Sequence, residues 1–249
     1  MRKTETLVTL GIVALVALAG CNGAMTGGSD EKPYETPLNG SEMDAQHAAA
    51  LQEAGSFTYL LSLNTTMGDS TSSQNLAAKV DSDSGAYSLT TSTGLGTVSL
   101  YTSPNGTSYT RVNSSNGVFY RQGSMFTYNV STFTRVGLTN MTERANFTYE
   151  GTNTLGGDTV HTYVSHVNAS ANASASGFLG NVSADASANA TVRIDVRSDG
   201  VVKRVQYDVR TPDGTAQVTM RYTNIGSTDP TPSWLEAAKS NTTAQNGTN

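Results

Sequence analysis

The stretch "TVRIDVRSDGVVKRVQYDVRTPDGTAQVTMRYT", residues 191–223, alternates apolar and polar residues through three successive runs. Val192, Ile194 and Val196 share one face of the first run, with Arg193, Asp195 and Arg197 on the other. Asp199-Gly200 turns the chain into a second run, in which Val205, Tyr207 and Val209 face inward. Pro212-Asp213-Gly214 turns it again, and Ala216, Val218, Met220 and Tyr222 face inward in the third. Period-two alternation broken by short turns predicts antiparallel strands with one face buried and the other in water.

The same pattern continues upstream. In "SFTYLLSLNTT", Phe57, Tyr59, Leu61 and Leu63 share one face. Strand-like segments follow at 75–81, 86–92, 96–103, 107–112 and 117–122, separated by the turn sequences "DSDSG", "SPNG" and "NSSNG". Residues 123–145 are less regular, with a short strand expected at "MFTYNV" and then a loop or helical turn. "NFTYEGTNT" and "DTVHTYVSHV" flank Leu155-Gly156-Gly157-Asp158, a hairpin signal. Before the strands, "SEMDAQHAAALQEAG" predicts a helix capped by Ser41, with Glu42 and Asp44 at its positive end. Ala48, Ala49 and Leu51 give it a narrow apolar face, and His47 reads as a surface residue. A short closing helix is expected from Pro232, with Thr231 as cap and Trp234-Leu235 as apolar contacts. The expected fold is mainly β: a strongly curved antiparallel sheet, a half-barrel of about ten or eleven strands, with an N-terminal helix and a short C-terminal helix.

The N-terminus says where the chain goes. Arg2 and Lys3 precede an apolar run from Leu7 to Leu18, and small residues lead to Cys21, the single cysteine. Charge, length and cleavage chemistry are those of a secretory signal peptide. Leu18-Ala19-Gly20-Cys21 resembles the lipobox of prokaryotic lipoproteins, in which the thiol is alkylated by diacylglycerol and the peptide is cut before it. Cys21 is therefore read as a lipid anchor, and two acyl chains hold a protein stably to a membrane. The expected organisation is a signal peptide over 1–20, anchor and flexible stalk over 21–42, one β-rich domain over 43–240 and a disordered tail over 241–249. Residues 168–190, "NASANASASGFLGNVSADASANA", read as a disordered low-complexity loop, with a lid as the alternative because Phe178-Leu179 forms one apolar tip.

Thirteen of the 19 asparagines stand in Asn-x-Ser/Thr sequons: Asn39, Asn64, Asn105, Asn113, Asn129, Asn140, Asn146, Asn168, Asn172, Asn181, Asn189, Asn241 and Asn246. Roughly a quarter of the chain is Ser or Thr, so chance would give about five. Dense sequons together with a lipobox point to a glycosylated cell-surface lipoprotein of an archaeon. A net charge of -5 and ten Arg against five Lys fit a halophilic one. Charged residues are 14% of the chain, and the acidic balance excludes nucleic acid as the expected partner.

A search for chemistry returns nothing. No Gly-x-Ser-x-Gly is present, and His161 and His166, five apart on a strand, point to opposite faces. Asp81-Ser82-Asp83-Ser84-Gly85 reads as a turn, since the distal glutamate of a calcium loop is missing. No catalytic residue, metal site or cofactor is expected, and the chain is read as no enzyme.

The order of stalk, helix, antiparallel strands and closing helix resembles the lipoprotein-carrier (LolA/LolB/LppX-like) superfamily. The resemblance covers about residues 43–240 and rests on the progression "YEGTNTLGGDTVHTYV", "VRIDVRSDGVVKRVQYDV", "VTMRYTNIG" and "PSW". It is similar in layout to lipoproteins of halophilic archaea. The resemblance implies a curved sheet wrapped around helices with an apolar cavity for acyl chains, and carries no fixed ligand residues with it. From the alternation itself, Phe57, Tyr59, Leu61, Val205, Tyr207, Val218 and Tyr222 are the candidate lining of such a cavity. Two readings stay open. One is a surface-anchored module binding a lipid or other hydrophobic small molecule; the other is a structural or interaction glycoprotein of the cell envelope with a filled core. In both, the membrane is met through the lipid on Cys21, at the extracellular face.

Overall fold

A computed structural model describes residues 32–123, 128–169 and 188–246. Cys21, the signal peptide, Asn172, Asn181 and the 170–187 part of the low-complexity loop lie outside the described residues. Residues Glu31–Asn249 form one compact unit.

The elements run α1 (Gly40–Glu53), β1 (Ser56–Met67), β2 (Ser70–Asp81), β3 (Tyr87–Thr93), β4 (Gly96–Thr102), β5 (Ser108–Ser114) and β6 (Gly117–Gln122). After a 3-10 turn at Val130–Thr132 come α2 (Leu138–Thr142), β7 (Thr148–Leu155), β8 (Asp158–Ala169), β9 (Ala188–Val196), β10 (Val202–Thr211), β11 (Gly214–Thr223) and α3 (Leu235–Asn246). All eleven strands form one curved antiparallel sheet in the order β6-β5-β4-β3-β2-β1-β11-β10-β9-β8-β7. Two meanders, β1 to β6 and β7 to β11, meet where β1 pairs with β11, and among the described residues β6 and β7 are the outermost strands of an unclosed sheet. The hairpin at Gly156-Gly157 has φ of +63° and +91°, backbone that glycine adopts without a Cβ penalty.

The inner face is the one α1, the 3-10 turn and α2 cover. Met43, His47 and Leu51 of α1 are buried, as are Phe133, Val136 and Leu138 beyond the 3-10 turn. All but His47 join Phe57, Val80, Tyr87, Ile194, Val202 and Tyr222 of the sheet in one core cluster. Asp44 ties the helices together. Its carboxylate accepts hydrogen bonds from the backbone N–H of Gly137 (3.1 Å), Leu138 (3.1 Å) and Thr139 (3.2 Å) and from the Thr139 hydroxyl (3.1 Å). One side chain thus satisfies the amides that a helix start leaves unpaired. The helices approach so closely that a Cβ on Gly40 would lie 2.4 Å from the Leu138 carbonyl oxygen. α3 lies on the opposite, outer face against β5 and β6, and Trp234 just before it packs on Tyr120 with ring centroids 6.5 Å apart.

Several local expectations are corrected. The stalk ends before residue 42: Tyr34 and Leu38 are buried, and the Tyr163 hydroxyl donates to the Tyr34 carbonyl (2.8 Å) while accepting from its N–H (3.1 Å). Asn39, not Ser41, caps α1, its Oδ1 accepting from the Glu42 N–H. His47 is fully buried, because Met43, His47 and Leu51 stand four apart and form the stripe that meets the sheet. Residues 128–130 of the expected "MFTYNV" strand are irregular or 3-10, and Asn129 caps that turn. The closing helix starts at Leu235, so Thr231 does not cap it. It runs to Asn246 through most of the expected tail, with buried Thr242 donating to the Ala238 carbonyl at 2.9 Å. Asp195, expected in water, is fully buried on the outer face between Thr162, which donates to it, and the Arg204 guanidinium. Alternation assigned its face correctly, yet that face is covered there.

Candidate functional site on the inner face of the sheet

The strand registers line the inner side chains into cross-strand rows. One row holds a residue from every strand. It starts at Tyr149 in β7 and passes Tyr163, Ile194, Val205 and Met220 to Leu61 in β1. It continues through Leu76, Thr91, Val98 and Val112 to Phe119 in β6. Thr91 and the phenols aside, it is wholly apolar. It is buried in the middle and opens toward β6, where Val98 is 36% exposed. Tyr163, Ile194, Val205 and Met220 are buried, Leu61, Leu76 and Val112 are half-buried, and Phe119 is 57% exposed.

Toward α1 the next row, Tyr222, Tyr59, Ala78, Leu89 and Leu100, is closed. Tyr222 meets the His47 ring edge-on at 4.4 Å between centroids, and Tyr59 packs against Phe133 at 6.1 Å. On the other side, Val192, Tyr207, Val218 and Leu63 form a partly covered row that ends at exposed Gln74. The seven candidate lining residues therefore do share one face of adjacent strands, in two environments. Phe57, Tyr59 and Tyr222 are packed beneath the chain's own helices, and Val205 and Val218 are buried. Leu61 and Tyr207 stand at the half-covered boundary. The alternation did not single out Leu76, Val98, Val112 or Phe119. In "GVFYRQG" three neighbouring apolar residues hide the face, and only the register with Val112 shows that Phe119 points inward.

Burial disfavours the charged forms of Tyr59, Tyr207 and His47 on this face. The Tyr59 and Tyr207 hydroxyls are pushed up to about 12, and His47 is pushed down to about 3, opposed only by the charge of Asp199. His47 Nδ1 accepts the Val202 N–H at 3.1 Å, which leaves the ring proton on Nε2. Tyr149 bonds His161 Nδ1 at 3.0 Å, and His166 is exposed on the other face of β8. Asp81 Oδ1 accepts the N–H groups of Asp83 and Ser84 and closes the expected turn. Among the described residues no cluster of three metal-ligating side chains occurs, and no helix is long and apolar enough to cross a membrane. A hollow of about 400 Å³ is lined by Thr71, Ser72, Ser73, Asn75, Ser92, Thr93 and Gly94.

Where side chains are described, every sequon asparagine is exposed: Asn39, Asn64, Asn105, Asn113, Asn129, Asn140, Asn146, Asn189 and Asn241. So are Asn75, Asn116, Asn153 and Asn224, which lie outside sequons, and exposure alone does not distinguish the two sets.

Residues 6–238 match one protein family. The chain belongs to the family of unknown function DUF7537. No curated protein matches it in sequence. Among solved structures the DUF7537 chain is similar to the Mycobacterium tuberculosis lipoprotein LppX, with 17% identity over 77% of this chain and 98% of LppX and a TM-score of 0.35. LprF from Mycobacterium bovis shares 10% identity over 78% of this chain and 95% of its own, with a TM-score of 0.41. A LolA-superfamily protein from Nitrosomonas europaea shares 7% over 80% and 97%, with a TM-score of 0.23. The functional reading of this DUF7537 member rests on its own geometry.

Proposed function

We propose that this chain is a lipid-anchored, N-glycosylated surface lipoprotein of a halophilic archaeon that binds a lipid or other hydrophobic molecule on the inner face of its sheet, without catalysis. The observation that supports this is the eleven-strand row, apolar at nearly every position, which is only partly covered from Leu61 onward and exposed at Val98 and Phe119. Water meets that surface unfavourably, and each methylene of an acyl chain laid along it gains about 0.8 kcal/mol on burial. The filled packing beneath α1 supports the second reading, an envelope glycoprotein with no ligand.

The two readings part in one experiment. A soluble version beginning at Lys32, so that Tyr34 and Leu38 keep their seats, is purified without detergent and extracted with organic solvent for mass spectrometry. Co-purified lipid is expected, and Leu76→Asp should remove it while circular dichroism stays unchanged. A lipid-free extract from a folded protein would refute ligand binding. The anchor has its own test: Cys21→Ser should release the full chain from membranes or leave its precursor uncleaved. Normal processing and retention would overturn the lipobox reading.

A further inference from the structure

Among the described residues, the two outermost strands of the sheet differ in how they meet solvent. β7 has a register shift between Tyr149 and Gly151, and its Glu150 pairs with Arg193. A bulge and a charge are two of the devices that keep a foreign strand from adding to an edge. β6 has no bulge. It pairs with β5 without interruption from Gly117 to Gln122, and Gly117, Val118 and Phe119 are exposed. Val118 is 43% exposed and Phe119 57%, on opposite faces, so a strand laid along this edge would gain apolar contact on both sides. Trp234 covers the outer face at Tyr120, and Val118, two residues earlier, is 43% exposed. Such an edge invites pairing with an identical edge.

Beside it stands Asn113, in the sequon Asn113-Ser114-Ser115. Asn113 lies directly across from Val118, is exposed, and shares the outer face with it one strand in from the edge. A strand added to β6 would run about 4.8 Å beyond it, well within the sweep of an oligosaccharide rooted one strand inside. We propose that Asn113 carries an N-glycan that guards the β6 edge against strand addition by a second copy of this chain. The proposal rests on the glycoprotein reading above. Asn64 supplies the control: it too is an exposed sequon residue on the outer face, but β1 is paired on both sides, by β2 and β11, and has no edge to guard.

The test uses the full chain from a glycosylating archaeal host, in neutral detergent, followed by glycopeptide mass spectrometry and light scattering on a sizing column. A glycan is expected on the peptide bearing Asn113, with wild type and Asn64→Gln monomeric. Asn113→Gln should lower the concentration at which dimer appears by roughly tenfold or more. Adding Val118→Lys should restore the monomer, since an edge lysine does by charge what the glycan does by bulk. A bare Asn113, a monomeric Asn113→Gln, or association that survives Val118→Lys each overturns the proposal. If glycans are found at other sequons and Asn113 is bare, only this inference fails; a chain with no glycan at all removes the glycoprotein reading too.

Discussion

Tyr222 and Phe119 both sit on the inner face of one sheet, yet one is fully buried and the other is 57% exposed. The difference lies in what the sheet faces. Tyr222 lies under His47 of α1, whereas Phe119 ends a row that lacks comparable cover. One half of the inner face is a core that holds the fold together; the other is apolar surface held out by that core. A residue's inward direction says which face it serves. The cover above it says whether it supplies stability or a binding surface.

Truncation should separate the halves most sharply. Tyr222→Ala removes a fully buried ring and should cost about 3 to 5 kcal/mol in urea unfolding. A loss below about 1 kcal/mol would mean that the helices do not pack as described.

Acid should probe the covered half alone. His47 is neutral in the folded chain, with its pKa pushed down to about 3, against an unfolded value near 6.5. Below about pH 6.5 the unfolded chain takes up a proton that the folded chain refuses, so stability present at neutral pH is lost as pH falls toward 3. By pH 4.5 the loss from this residue alone should be about 2 to 3 kcal/mol. His47→Gln, which keeps an acceptor for the Val202 N–H, should flatten that part of the profile. An unchanged slope between pH 6.5 and 4.5 would contradict the assignment.

Loosening the cover without emptying the core is a finer test. Asp44→Asn leaves one oxygen where two accepted four hydrogen bonds and should cost about 1 to 3 kcal/mol. Hydrogen exchange at the Leu138 and Thr139 amides should speed up ahead of the rest of the sheet. Uniform exchange across the chain would show that α2 and the sheet open together. The smallest effect belongs to the open half: Phe119→Ala should change stability by less than about 0.5 kcal/mol while reducing co-purified lipid.

Much of this was legible along the chain because its causes are local. Alternation placed Val192, Ile194, Val205, Tyr207, Val218 and Tyr222 on one face, and the Leu155–Asp158 and Thr211–Gly214 hairpins follow from residues that accept tight turns. At the first helix, Asn39 and Ser41 both have cap chemistry two residues apart. The choice between them depends on where Gly40 meets Leu138, nearly a hundred residues away. His47 had a signal, the spacing Met43-His47-Leu51, but a polar ring amid alanines looks like surface until a sheet covers it.

Sequence by itself determined most of the strands and the facing of those that alternate cleanly, because backbone sterics and period-two patterning act between neighbours. It also set the thirteen sequons and the Leu18-Ala19-Gly20-Cys21 motif, which are covalent facts of the chain. Only tertiary structure decided that β1 joins β11, that Asp195 lies buried under Arg204, and that helix cover stops short of Phe119. Each of these depends on contacts between segments far apart in sequence, where burial is a property of the partner as much as of the residue.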